Sequence, residues 1–250
     1  MPPLSSQASW ARIFRPWCPT CGWPRGGQSA AGAAIDHLIT LHPAHAQAAA
    51  LAKSENLPLP VWLANKASKT GPSAAIHLAQ GVHVVPEFLG NRAPFADPQA
   101  RALIAGLGLE TDLASLLTLY IAGLSGLGYG LRQIIEVQAA HGAHIRRILI
   151  SGGAGSHDLV RQILADATGC PVVATEAEEP VLLGSAILGA VAAGLYPDVR
   201  QAMSGMSRAK GSFVPTPGPI GALHDRRFAA FETLQNAARA VERAGLVSGN

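Results

Sequence analysis

Residues 148–172 read ILISGGAGSHDLVRQILADATGCPV. Three apolar residues run into the pair Gly152–Gly153, and an amphipathic stretch follows with Leu159, Val160, Ile163 and Leu164 at helical spacing. The pattern predicts a strand over 147–151, a helix over 157–168 and a second strand over 171–174. A glycine-rich turn between strand and helix lets a ligand approach the backbone closely. It also points free N–H groups and the positive end of the helix dipole at an anion or polar group. The stretch is neither G-x-G-x-x-G nor a phosphate loop ending in Gly-Lys-Ser/Thr. Two glycines at a strand end also serve as a plain tight turn.

The surrounding chain of 250 residues is long enough for one large domain or two small ones. Apolar residues make up 48% and charged residues 14%, so much of its surface asks to be covered. A net charge of +3 with scattered Lys and Arg argues against a nucleic-acid partner. The opening MPPLSSQASW has no basic segment and no apolar segment of a secretory signal. Three cysteines cannot make a paired framework, and a reducing cytoplasm is the expected setting. Two uncharged runs, 113–131 and 181–196, are diluted with Gly, Ala and Ser and lack an aromatic belt. They are expected to be core helices, and no membrane partner is expected.

Residues 1–25 stand apart, with five of the 18 prolines, three of the four tryptophans and no periodicity. The expected organisation is an irregular leader over 1–25, a domain over 26–208, a linker over 209–221, and a terminal helix and tail over 222–250. Within the domain, Ser29 is a plausible N-cap ahead of Ile35, Leu38 and Ile39. Residues 54–72 are a connection with a short helix, and 81–98 begin as a strand and end in a turn-rich loop. Helices are expected over 112–141, broken or kinked at the glycines of 123–130, and again over 180–194 and 198–206. The alternation predicts an α/β fold with a partly parallel sheet.

Three other features carry chemistry by type. Cys18 and Cys21 in WCPTCGW have the spacing of a redox dithiol but sit in a Pro/Trp tangle with no strand before them. The pairs His42/His45 and His141/His144 have no accompanying carboxylate or Cys, so no metal is assigned. Arg92 lies in the turn-rich GNRAPFADP, where Asp97 either clamps it or caps a helix.

In this order and spacing, GGQSAAGAAIDHLI, GVHVVPEFLGNRAPFADP, SGGAGSHDLVRQILADATGCPVV and EEPVLLGSAILGAVAAG resemble the C-terminal half of an FGGY-family carbohydrate kinase. The wording GGQSA and GNRAPFADP is most similar to its pentulose branch, the kinases of D-ribulose and related polyols. The resemblance implies a lobe of the actin and hexokinase superfamily, a mixed sheet flanked by helices, with the first lobe absent from these 250 residues. It implies ATP and Mg²⁺ as cofactors and a sugar or polyol substrate held mainly by that first lobe.

Residue by residue, the resemblance implies that Gly152 and Gly153 lie along the nucleotide, with Gly32 near the phosphates. Asp36, four residues further along one helix face, matches a nucleotide-contacting polar position. His157 stands where the family usually has Asn near the purine, a departure that either keeps a stacking or hydrogen-bonding role or marks its loss. Glu179 and Gly184 belong to the junction closing the pocket, and Arg92 to a substrate-side loop. No acidic residue matches the family's proton-accepting aspartate, so no catalytic residue is assigned and the chain is expected to be inactive alone. The alternatives are a non-catalytic module that binds another polypeptide, and a dithiol protein. Self-association through an exposed apolar face is also expected.

Overall fold

The computed structural model describes residues 27–150, 157–177 and 179–246. The glycine pair, Cys18 with Cys21 and Glu178 lie outside the described residues. Three helices open the fold: α1 (Ala31–Leu41), α2 (His45–Ser54) and α3 (Leu59–Ser68). Strands β1 (His83–Val85) and β2 (Leu103–Ala105) pair antiparallel, with His83 opposite Ala105. Helix α4 (Leu113–Ala140) follows, then β3 (Ile148–Ile150), α5 (Asp158–Thr168) and β4 (Val172–Thr175). The chain closes with α6 (Pro180–Ala192), α7 (Val199–Met206), β5 (Ala209–Phe213) and α8 (Pro219–Leu246).

The second sheet has the order β3-β4-β5. β3 and β4 are parallel, with Ile148 opposite Val172, and β5 adds antiparallel to β4 with Phe213 opposite Val172. The opening stretch therefore forms a strand–helix–strand unit at the positions its periodicity predicts. The α/β class with a mixed sheet flanked by helices holds.

α4 is the spine of the core. Leu116, Leu119, Tyr120, Ile121 and Leu124 are buried on it against α1, α3 and β1. It is long and apolar enough to cross a membrane, but 72% of its most apolar window is buried inside the fold, as befits a core helix. Two expectations fail on this helix and its neighbour. α4 runs unbroken through Gly123, Gly126, Gly128 and Gly130. Each of these glycines admits a close neighbour: a Cβ at Gly126 would overlap the Val84 carbonyl, and one at Gly128 would overlap Ala167. Packing against β1 and α5 offsets the helix-weakening cost of glycine, about 1 kcal/mol per residue. At α1 the N-cap is Ala30, in the left-handed region at φ 53°, and no side chain caps the helix, so Ser29 does not serve.

The stretch expected as a linker, 209–221, instead contributes β5 and the start of α8 at Pro219. The hydrogen bond from Thr216 N to Asp166 Oδ1, 2.6 Å, ties it to α5. β2 has no counterpart in the sequence reading.

Candidate functional site

α1 carries the first part of the site. Gly32 lies in its first turn and Asp36 one turn on, both exposed on one face, while Ile35, Leu38 and Ile39 are buried on the other. The first-turn N–H groups have no side-chain acceptor and no acidic neighbour in that turn. Such an end presents partial positive charge and free donors to an incoming anion. The space beside Gly32 is open, so a ligand atom can reach the backbone there. Asp36 lines an open cleft of about 250 Å³ with Ile39, Thr40, His45, Leu59 and Pro60.

At the N-terminal end of α1, Gln28 and Ser29 border a polar recess shared with Glu87, Asn91 and Arg92. Gln28 is fixed there by donating to the Leu127 carbonyl at 2.9 Å. At 1.5 Å rise per residue, about 10 Å of chain separates Ser29 from Asp36. One helix thus connects the Arg92 recess to the Asp36 cleft.

α3 carries the second part. Leu59 and Pro60 at its start line the Asp36 cleft, and Asn65 further along accepts from His157 Nε2 at 2.9 Å. His157 is the N-cap of α5, its Nδ1 accepting from Leu159 N at 3.1 Å. With Nδ1 used as acceptor, Nε2 must hold the ring proton and donate it. Partial burial holds the imidazole pKa below its usual 6.5, despite the nearby Asp158 carboxylate. His157 therefore stays neutral with a fixed tautomer. Asn65 was not singled out from the sequence, because α3 came from a stretch marked by prolines, and His45 was noted only as half of a histidine pair, not as a wall of this cleft.

The structure brings Asp36 and His157 to two ends of one α3 helix. Gly152 and Gly153, in the segment just before His157, lie outside the described residues. Glu179 is exposed ahead of α6 and its side chain makes no cap bond. Gly184 is half-buried on α6 with open space where a Cβ would stand, and it does not line the Asp36 cleft.

The expected Arg92–Asp97 clamp is not formed. Arg92 is exposed on the recess, while Asp97 caps the following turn, accepting from Gln99 N at 3.0 Å and Ala100 N at 3.2 Å. The loop is held instead through its backbone, Asn91 and Asp97 exchanging N–H to O bonds of 2.7 and 2.8 Å. Gly90, at φ 78°, makes this closure possible, since a Cβ there would press on the Asp97 carbonyl.

Beneath the loop, the buried Glu87 Oε1 accepts from Asn91 Nδ2 and, at 2.6 Å, from Gln235 Nε2. Arg239 lies at ion-pair distance from both Glu87 and Asp97, 4.0 and 3.9 Å, and under the Phe95 ring at 3.5 Å. Glu87 thus staples the Arg92 loop to α8.

The family model described as "FGGY family of carbohydrate kinases, C-terminal domain" matches residues 3–193. The chain belongs to this family. The matched span begins ahead of Gly26 and takes in most of the stretch set apart as a leader. An FGGY carbohydrate kinase domain-containing protein of Xenopus laevis is 37% identical over 209 residues, covering 82% of this chain and 38% of the relative. D-ribulokinase YDR109C of Saccharomyces cerevisiae is 36% identical over 172 residues, 67% of this chain and 24% of that protein. A Plasmodium falciparum glycerol kinase solved with ADP superposes with a TM-score of 0.59 at 21% identity, over 87% of this chain and 38% of its own. The chain thus spans about two fifths of the length of the Xenopus relative. The fold is that of the C-terminal half of these kinases.

Proposed function

We propose that this chain is the ATP-binding half of a pentulose-type sugar kinase. The observation that carries the reading is the uncapped N-terminus of α1, with Gly32 and Asp36 on its open face and α3 joining that face to His157. An ATP molecule laid along α1 puts its phosphates against free N–H groups at Gly32 and its nucleoside toward Asp36 and His157. The Arg92 recess at the same helix end adds a cation on the phosphate side. Gly152 and Gly153, immediately before His157, complete the wall in this reading, and Glu179 and Gly184 are its outer junction. The identity to the yeast D-ribulokinase, together with the GGQSA and GNRAPFADP wording, supports a pentulose or polyol as the family substrate.

Among the described residues no group of three His, Cys, Asp or Glu could hold a metal. In this reading Mg²⁺ is carried by the nucleotide phosphates. The proposed setting is the cytoplasm. A dithiol function draws no support from Cys170, which is buried with its thiol pushed up by desolvation.

The test is calorimetry with MgATP and MgADP on the wild type, Gly32→Val and Gly153→Val. A Cβ at Gly32 meets no protein atom, so the first variant is expected to fold normally and lose affinity by occupying ligand space. Equal binding in all three proteins removes the pocket assignment. Absence of binding in the wild type removes the nucleotide reading itself and leaves the polypeptide-binding module.

A further inference from the structure

A surface helix usually docks through an apolar stripe, but α8 docks through a mostly polar one. Its buried residues are His224, Arg227, Phe228, Phe231, Gln235 and Arg239. At 3.6 residues per turn all six fall within about a third of the helix circumference. Phe228 and Phe231 pack on Tyr129 of α4, while the four polar side chains hold particular partners. A helix seated this way gains less from burial than an apolar one, because its hydrogen bonds replace hydrogen bonds to water. Such an element belongs to the low end of local stability.

Three of the four polar side chains reach one segment. Arg227 donates to the carbonyls of Gln80 at 2.8 Å and Val82 at 2.5 Å, just ahead of β1. Gln235 donates to Glu87, just after β1, and Arg239 lies beside Glu87 and Asp97. α8 therefore holds residues 80–97 near both ends, and the Arg92 recess with them.

The fourth, His224, is tied elsewhere: its Nδ1 shares a 3.0 Å hydrogen bond with the Tyr129 hydroxyl of α4. Its Nε2 is buried without a partner, as is Asp166 Oδ2 on α5. An imidazolium carries two N–H donors, so a charged ring would present a buried donor at Nε2 with nothing bonded to it. Burial pushes the ring pKa down to about 4; Asp166 and Asp225 oppose this, and Arg227 and Arg132 add to it. His83 of β1 faces Arg227 and is likewise held below its usual 6.5, first by burial and then by that guanidinium. We propose that α8 is a proton-sensitive strap: His224 latches it to α4, and uptake of a proton by the ring releases α8 together with residues 80–97. Opening exposes the ring, so the open form takes up one proton that the closed form refuses. The latch holds fully above about pH 6.5, and each unit of acidification from there to about 4 favours opening up to tenfold. The inference does not depend on nucleotide binding.

Amide exchange on the full chain, expressed as protection factors at about pH 7, 6 and 5, tests it across that window. α8 and the bonded amides of Asn91 and Asp97 should lose protection together, approaching tenfold per unit. The middle of α4, around the buried Ile121, should stay more protected than either at every pH. His224→Gln should remove the slope at both places, and His83→Gln should leave it. The wild-type series stands without any variant. So does the nuclear magnetic resonance signal of the His224 ring, which should show no titration step near its ordinary pKa of 6.5.

Loop amides that keep their protection while α8 loses it overturn the proposal. So does a slope that survives in His224→Gln or disappears in His83→Gln. Equal protection of α4 and α8 would mean that the whole fold opens at once, and overturns it as well. A ring step near the ordinary histidine pKa would show that the closed strap accepts the proton, with the same result.

Discussion

His157 Nε2 lies 2.9 Å from Asn65 Oδ1, and this contact joins the first turn of α5 to the body of α3. The same ring caps α5 through Nδ1. One imidazole thereby fixes the end of the helix that follows the glycine pair and ties it to the wall of the Asp36 cleft.

His157→Ala removes both bonds and is expected to lower stability by about 1 kcal/mol, the usual worth of an N-cap. Asn65→Ala removes only the cross-link, so its stability loss should be smaller while nucleotide affinity falls comparably. His157→Asn retains a capping oxygen and should recover most of the stability. Protonation of Nδ1 destroys the cap acceptor. With the folded pKa below 6.5, the cap is intact above that pH and is lost as pH falls. Urea unfolding and calorimetry across this range check the set. Unchanged stability in His157→Ala would show that the cap is idle.

His224 supplies a larger pH effect. It is 1% exposed, and its Nδ1 shares a 3.0 Å hydrogen bond with the hydroxyl of Tyr129, whose own pKa burial raises to about 12. Desolvation pushes the imidazole pKa down to about 4, with Asp166 opposing. The folded state then binds fewer protons than the unfolded state between about pH 4 and 6.5, so stability rises with pH across that window. The contribution is complete above 6.5 and amounts to about 3 kcal/mol. Its loss on acidification should be visible in urea unfolding between about pH 7 and about pH 4. His224→Gln should flatten the difference; an equally steep dependence in the variant would place the sensitivity elsewhere.

Glu87→Ala tests the staple under the Arg92 loop. The substitution leaves Asn91 and Gln235 without their shared acceptor and Arg239 buried beside a weaker partner, Asp97. Breaking a buried ion pair of this kind costs about 3–5 kcal/mol. Glu87→Gln keeps an acceptor oxygen and should cost less. Amide exchange at Asn91 and Asp97 should accelerate in both variants. A loss below about 1 kcal/mol in Glu87→Ala would mean that α8 holds the loop without this carboxylate.

Much of this architecture was legible because burial imposes a period on the sequence. Leu159 and Ile163 recur at helical spacing on α5, and the strands on either side are short apolar runs bounded by glycine and proline. α4 was misread as broken because propensity was weighed where packing decides. Its glycines are gaps that Val84, Ala167, Leu38 and Gln28 fill, and those partners are remote in sequence. β5 was hidden for a related reason: AKGSF is exposed at four of its five positions, so it shows no alternation, and only its pairing with β4 makes it a strand. In the site, Gly32, Asp36 and His157 were found through their resemblance to family motifs. Asn65 sits in no such motif, and only the contact between α3 and α5 reveals it.

The last prediction is that the isolated 250-residue chain transfers no phosphoryl group to D-ribulose, ribitol, L-ribulose or D-xylulose. Transfer needs a base within hydrogen-bond reach of the attacking hydroxyl. Of the buried carboxylates among the described residues, Glu87 is engaged with Asn91 and Gln235, and Asp166 accepts from Thr216 N and Gln162 through Oδ1 while its Oδ2 is buried without a hydrogen-bond partner. Asp97 caps a turn beside Arg239, and Asp158 pairs with Arg161 at 2.8 Å. Asp36 and Glu179 are exposed and lie on the nucleotide side in the proposed reading, away from an acceptor hydroxyl. Loss of a positioned base costs roughly two to four powers of ten in rate. Losing the groups that orient the sugar forfeits several kcal/mol more of proximity gain. A coupled assay of ADP release, with each acceptor and with none, should therefore give the same slow hydrolysis throughout. Acceptor-dependent turnover at an ordinary enzyme rate would show that a catalytic base exists within these residues. Asp36→Asn and Glu179→Gln would then be the first variants to locate it.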